Sequence, residues 1–255
     1  MTTKAIVVLA NSFKNGGRCL AGKEVRMAGD QIEGFGGWIR PISAGHVEVA
    51  GKSEGGQLTE IEMRGLLNRQ TLPAMLEILE IPFSRAASLP DQPENWEVAA
   101  GQPWRSLGMC PRERLPEMAD TPATLWDTSG RGWSKVDESL PKGVGFASLY
   151  LVTAKGVLTA EVGSRNKTSA SVEQVRNKNL LLPFGGLTHG FRISDPAFDA
   201  EYGGQFPAVG AGTRLFTMPV GTHVTVSLTP AFSFSGQPPR FHYKMAAAII
   251  KPAGA

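Results

Sequence analysis

Short apolar runs, many of them β-branched, recur along the chain between clusters of Gly, Pro, Asn and Ser. Lys4 to Leu9 is a continuous run closed by Asn11-Ser12, the pattern of a buried strand. After a glycine-rich turn at Asn15-Gly16-Gly17, Arg18 to Arg26 alternates as a second strand and Gly37 to Ile42 forms a third. A turn at Ala28-Gly29-Asp30 joins these two as a hairpin, and Pro41, lacking an amide donor, marks an edge or an end. Gly45 to Gly56 is loop by composition. Leu58 to Leu67 alternates Leu58, Glu60 and Glu62 against Thr59, Ile61 and Met63, which predicts a fourth strand, and Leu76 to Phe83 predicts a fifth.

Five short strands in about 80 residues, almost without helix, are the parts of a small five-stranded barrel of the OB type. From Ala86 to Gly145 the periodicity is lost, apart from a short helix predicted near Arg112 to Ala119. Trp96, Trp104, Trp126 and Trp133 make this region too aromatic for a disordered linker, so it reads as an irregular connector with the tryptophans as packing anchors. Strands resume at Ala147 to Thr153 and Val157 to Val162, around a turn at Lys155-Gly156. Others follow at Leu187 to Ser194, Arg214 to Met218, His223 to Leu228 and Arg240 to Lys251. Asp195 to Tyr202 predicts a helix, with Asp195 as N-cap, Pro196 at the first helical position and Gly203 past the end. The expected fold is mainly β: two small OB-like β-barrels, residues 1–85 and 146–255, joined by an irregular connector with short helices, 86–145, packed on both. No sequence repeat links the halves, so any duplication is one of architecture.

Composition narrows the function classes. The 30 Gly and 18 Pro in 255 residues imply many turns and show no collagen-like period. Net charge is only +3, far short of a polybasic anchor, yet residues 151–255 carry 10 Lys and Arg against 5 Asp and Glu. Cys19 and Cys110 match no zinc or redox spacing and read as reduced thiols. Ala5 to Ala10 is too short for a secretory core, and no run approaches the roughly 20 apolar residues of a membrane span, so a cytoplasmic location is expected.

The stretch from Ser12 to Ser43 carries the densest candidate chemistry. Lys14, Arg18, Lys23, Arg26 and Arg40 alternate with Phe13, Phe35 and Trp38. OB barrels bind single strands by combining a basic groove with aromatic platforms, since phosphate attraction and base stacking need no sequence code. The hairpin would set Arg18 and Arg40 on one groove wall with Trp38 between them. The competing role is structural, with Trp38 in the core and Arg40 paired to Glu60 or Glu62. Ser12 and Ser43 flank the stretch as further candidate contacts. Arg165 and Lys167 in one loop, and Arg176 and Lys178 in another, form a second basic patch or an ordinary solvated surface. His46, His189, His223 and His242 lack i, i+4 pairing, and no P-loop or dinucleotide fingerprint is present, so neither metal nor cofactor is expected.

In Ser12-Phe-Lys-Asn-Gly-Gly-Arg18-Cys19-Leu-Ala-Gly22 and Gly37-Trp38-Ile-Arg40-Pro41-Ile-Ser43 the chain resembles the bacterial dual OB-fold domain proteins. The likeness continues through Glu77 to Pro82, Gln92 to Asn95, Ser148 to Val152, Ser194-Asp195-Pro196 and Tyr243 to Ile250. It implies two OB-like barrels, no established catalytic activity and a nucleic-acid-related role, with bacterial defence against phage as a setting. Phe13 stands where the family carries a basic or polar residue, which leaves the role of Lys14 open. The leading expectation is a non-catalytic module for single-stranded nucleic acid or a nucleotide, working with partner proteins and not with a membrane. A protein–protein adaptor, a small-nucleotide sensor, and an enzyme with a site assembled from distant residues are the alternatives.

Overall fold

The computed structural model describes residues 1–14, 17–44, 47–49, 52–54, 56–126, 134–140, 145–166, 172–233 and 238–254. His46, Trp133 and Lys167 lie outside them. The chain divides into two compact units, Met1–Ala119 with Pro141–Leu149 and Asp120–Leu140 with Tyr150–Ala255. The segment expected to be a connector is therefore shared between the units. Among the described residues no helix is long and apolar enough to cross a membrane.

The first unit contains β1 (Thr2–Lys14), β2 (Gly17–Ala28), β3 (Gln31–Ile42), the short pair β4 (Val47–Val49) and β5 (Lys52–Glu54), helix α1 (Glu60–Leu67), β6 (Glu77–Ala86), β7 (Asn95–Val98), β8 (Arg105–Met109) and helix α2 (Leu115–Met118). The main sheet runs β1-β2-β3-β7-β6, and pairing of β6 with β1 closes it into a five-stranded barrel. Gly29, at φ +59°, opens the two-residue turn between β2 and β3, where a hairpin favours glycine. The predicted loop at Gly45 to Gly56 holds the β4–β5 pair instead.

Two expectations change here. Leu58 to Leu67 is not a strand: Thr59 Oγ1 accepts from the Glu62 amide at 3.1 Å, and the Glu62 carboxylate accepts from the Thr59 amide at 2.8 Å. This reciprocal cap starts α1 and outweighs the apparent alternation. Only Met63 of the helix is buried, whereas Ile61 is 81% exposed. The fifth barrel strand is instead β7, four residues inside the supposed connector. A strand that short has too few positions to display a period. Trp96 within it packs edge-on against Phe83 at 5.7 Å, and Trp104 enters the barrel core beside Leu58 and Met63.

The second unit contains β9 (Lys135–Asp137), β10 (Leu149–Thr153, whose first residue falls in the first unit), β11 (Leu158–Asn166), β12 (Gln174–Phe184), β13 (Leu187–Ile193), helix α3 (Pro196–Tyr202), β14 (Arg214–Met218), β15 (His223–Leu228) and β16 (Phe241–Ile250). Its order is β10-β15-β16-β13-β12-β11-β14, with β9 on β16. Stripped of its edge strands, this is the order of the first barrel: β11, β12, β13, β16 and β15 match β1, β2, β3, β7 and β6. In both units the third and fifth strands are parallel, and a helix lies between the third and fourth in sequence. Among the described residues β15 and β11 do not pair; β10 and β14 take those edges, so this barrel is open. Asp195 caps α3 by accepting from the Ala197 amide at 2.9 Å and also accepts from the Ile249 amide at 2.8 Å.

Closure of the first barrel depends on Gly22. It faces Val8 next to an irregularity in β1, and a Cβ there would stand 2.0 Å from the Val7 carbonyl oxygen. Backbone cannot yield as a flexible side chain would, so only glycine lets β1 coil this closely over β2. Gly22→Ala is expected to cost at least about 1–3 kcal/mol, the usual penalty of overpacking. Gly37→Ala, with no heavy atom within 4 Å of its Cβ, should be neutral or slightly stabilising. Denaturant unfolding of the two variants checks this, and a Gly22→Ala protein as stable as wild type would contradict it.

Candidate ligand-binding faces

The predicted hairpin forms, but it does not bring its two arginines to one wall. Leu20 and Ile39 both enter the barrel core. Arg18 lies two residues from Leu20, on the same face, whereas Arg40 follows Ile39 and takes the opposite one. Their partners agree. Arg18 Nε and Nη2 donate to Glu60 Oε1 at 2.9 and 2.7 Å, Nη1 donates to the Asn11 carbonyl at 3.2 Å, and the guanidinium lies 3.8 Å from the Phe13 ring centroid. Arg64 also reaches Glu60, at 3.0 Å. The Arg18 hydrogen bond first, and the charges of Arg18 and Arg64 with it, hold the Glu60 carboxyl below its ordinary value despite a contrary effect of burial. Arg18 thus ties β2 to α1.

Arg40 is 4% exposed and Glu94 8%. Arg40 Nη2 donates to Glu94 Oε1 at 2.7 Å and to Ser148 Oγ at 3.0 Å, and the Ser148 hydroxyl donates to the same Glu94 oxygen. The Arg40 amide donates to the Glu94 carbonyl at 2.8 Å, so main chain and side chain are both committed to one residue. The acid is Glu94, and neither Glu60 nor Glu62 serves Arg40. Glu62 instead accepts from the Ser43 hydroxyl at 2.5 Å.

The remaining candidates in this unit are similarly placed. Lys23 and Trp38 are cross-strand neighbours, with Nζ 5.7 Å from the indole centroid; Lys23 is buried and Trp38 half-buried, on the barrel exterior and not in its core. Ser12 is buried opposite Cys19. Lys14 ends β1. On the outer surface of β2 and β3, Ala21, Lys23 and Arg40 are therefore buried, Trp38 is half-buried, and the charge of Arg40 is met by Glu94.

The described members of the second basic patch, Arg165, Arg176 and Lys178, lie on strands and not in loops. Lys178 stands on β12 two residues before the core residue Leu180 and donates to both oxygens of Asp199 on α3, at 2.5 and 2.6 Å. This repeats the Arg18–Glu60 arrangement: a cation on the second barrel strand tied to an acid on the helix. Arg176 lies 5.1 Å from the Phe206 centroid and donates to the Pro207 carbonyl at 3.2 Å. Arg165, exposed near the end of β11, donates to the Asn166 carbonyl at 3.0 Å. β12 itself was unforeseen, because Arg176-Asn177-Lys178 masks the apolar half of the strand.

Arg192 was also missed. On β13 the side chains of His189, Phe191 and Ile193 are buried on one face, so Arg192 points to the other, opposite Asn179 of β12. It is half-buried; its backbone pairs with β12 and β16, while among the described residues its guanidinium makes no hydrogen bond or ion pair. Burial first, then the like charge of Arg165, push its guanidinium below the ordinary value, against a smaller opposing effect of Tyr243. Tyr243 carries the ring of Phe232 at 4.7 Å, and Phe232 is 37% exposed. The signal in the sequence is an arginine out of phase with Phe191 and Ile193, the apolar residues on either side of it.

Among the described residues no three His, Cys, Asp or Glu side chains are grouped to hold a metal ion. Burial pushes the Cys110 thiol up to about 11, so it is a poor nucleophile at neutral pH.

Removing one partner of the Arg40–Glu94 pair strands a buried charge. Arg40→Ala is expected to lose about 3–5 kcal/mol, while the double variant Arg40→Met with Glu94→Leu should recover most of it. Urea unfolding measures both. An Arg40→Ala protein within about 1 kcal/mol of wild type would contradict the structural role.

Among curated proteins and solved structures, none matches this chain. A model of the dual OB-containing domain matches residues 4–249, nearly the whole length. With one closed and one open barrel of the same strand order, the chain belongs to the dual OB-containing domain family.

Proposed function

We propose that the chain is a non-catalytic binding module for single-stranded nucleic acid or a nucleotide, and that its ligand face is the outer surface of β12 and β13. OB domains take ligands on the face of their second and third strands. In the first unit that face is buried around Lys23, Ala21 and Arg40. In the second, Asn179, Leu181 and Arg192 are partly exposed, and Arg165 is exposed at the same sheet surface. This partly open face, which carries Arg165 and Arg192 and, opposite Asn179, the acid Glu161, is the observation that carries the reading. Phe232 on Tyr243 supplies an aromatic surface of the kind on which bases stack. The setting of phage defence rests on family resemblance.

Fluorescence anisotropy of labelled single-stranded oligonucleotides at several salt concentrations tests it. Arg165→Ala should flatten the log–log salt dependence by roughly 0.7. Phe232→Ala should lose on the order of 1–3 kcal/mol with little change in slope. Absence of binding even at low salt would refute the proposal. The adaptor reading draws on β14, an edge strand with Leu215 exposed, whose free backbone could pair with a partner strand. Specific capture of a partner protein without affinity for oligonucleotide would favour it.

A further inference from the structure

Arg192 is the second unit's counterpart of Arg40. Each follows a core residue, Ile39 or Phe191, and each is the first residue of its third strand to pair with the parallel fifth strand. Arg40 pairs with Asn95, and the residue before Asn95 is its acid, Glu94. Arg192 pairs with Met245, and the residue before Met245 is Lys244. The position before the paired residue is thus an acid in the first unit and a cation in the second. Lys244 points to the other face of its strand, with Nζ 3.2 Å from His189 Nδ1, among buried residues.

A guanidinium drawn partly out of water is costly unless an anion meets it. The first unit provides that anion internally. The second provides none in contact with Arg192 among the described residues: Glu161 stands one strand further away, across Asn179, and forms no ion pair with it, and Arg165 adds positive charge nearby. The planar fork of an arginine suits two oxygens of a phosphate or carboxylate. On a basic face beside aromatic rings, phosphate is the matching anion.

We infer that Arg192 is a phosphate seat, binding a phosphate group of a nucleotide or nucleic-acid strand in the place that Glu94 fills internally in the first unit. The ligand class rests on the reading of this face as a nucleic-acid or nucleotide surface; the seat itself rests on strand register and the missing counter-ion. Arg192 recognises phosphate geometry, and the neighbouring rings supply contact to whatever the phosphate carries.

Pyrophosphate, a nucleoside diphosphate and a short single-stranded oligonucleotide, each titrated into the full chain, test the seat. In wild type the Nε–Hε resonance of Arg192 should shift saturably with pyrophosphate. Arg192→Gln should weaken pyrophosphate binding by at least about tenfold, a loss of about 1.4 kcal/mol. The same variant, free of ligand, should melt no earlier than wild type, because a poorly solvated, unpaired charge has been removed. Arg176→Gln, a change of equal charge on the neighbouring strand β12, should leave pyrophosphate binding intact. No saturable shift of Arg192 in wild type, or undiminished pyrophosphate affinity in Arg192→Gln, would overturn the seat. If oligonucleotide binds equally well to wild type and Arg192→Gln, the seat fails while the binding face stands. If pyrophosphate binds through Arg192 but neither nucleotide nor oligonucleotide does, the seat stands and the nucleic-acid reading fails.

Discussion

A cation withdrawn from water has to be compensated, and in this chain the way each one is compensated separates scaffold from candidate surface. Arg18 meets Glu60, Arg40 meets Glu94 and Lys178 meets Asp199 at hydrogen-bonding distance. Two of these pairs fasten a barrel strand to the helix that follows the third strand, and the Arg40 pair fixes β3 to the turn that enters β7. Such pairs are poor evidence for net stability, since desolvation offsets much of the attraction. Their stronger effect is on uniqueness: a barrel with its strands or helix shifted would leave a buried charge unmatched. Arg192 breaks the rule, and the face that holds it is the one left partly open.

The two units share strand order and helix position without sharing a recognisable sequence repeat. The constraint common to both is topological. A parallel pairing of third and fifth strands needs a long connection, which a helix and the fourth strand supply in each unit. Side chains on that frame then diverge. The first unit closes fully and buries Ala21, Lys23 and Arg40 on its strand-two and strand-three face; the second exchanges closure for the edge strands β10 and β14 and keeps Arg165 and Arg192 partly or fully exposed. One architecture therefore carries two degrees of openness, the arrangement expected if one barrel supports and the other binds.

Much of this was legible from pattern. The continuous run at Ala5 to Leu9, the turn at Gly29, the cap at Asp195 and the strand at His223 all announce themselves through period or through residues with restricted backbone preferences. The failures have equally local causes. Thr59 and Glu62 form a capping box, yet their neighbours alternate well enough to imitate a strand. β7 is too short to show alternation, so the strand that completes the first barrel falls within the stretch that reads as a connector. The candidate site was less legible than the fold. Pattern could find basic residues among aromatics at Ser12 to Ser43, but only strand phase relative to the core reveals that Arg18 and Arg40 diverge, and only the three-dimensional position of Glu94 and Ser148 reveals that Arg40 is already paired. Arg192 carries no motif at all; what marks it is an acid present in one unit and absent from the matching place in the other.

Hydrogen–deuterium exchange of the full chain, with and without a saturating single-stranded oligonucleotide, tests most directly the claim that the second unit binds while the first supports. The account predicts new protection in β12 and β13 and none in β2 and β3, whose backbone and buried cations are already committed. Protection confined to β2 and β3, with β12 and β13 unchanged, would contradict it.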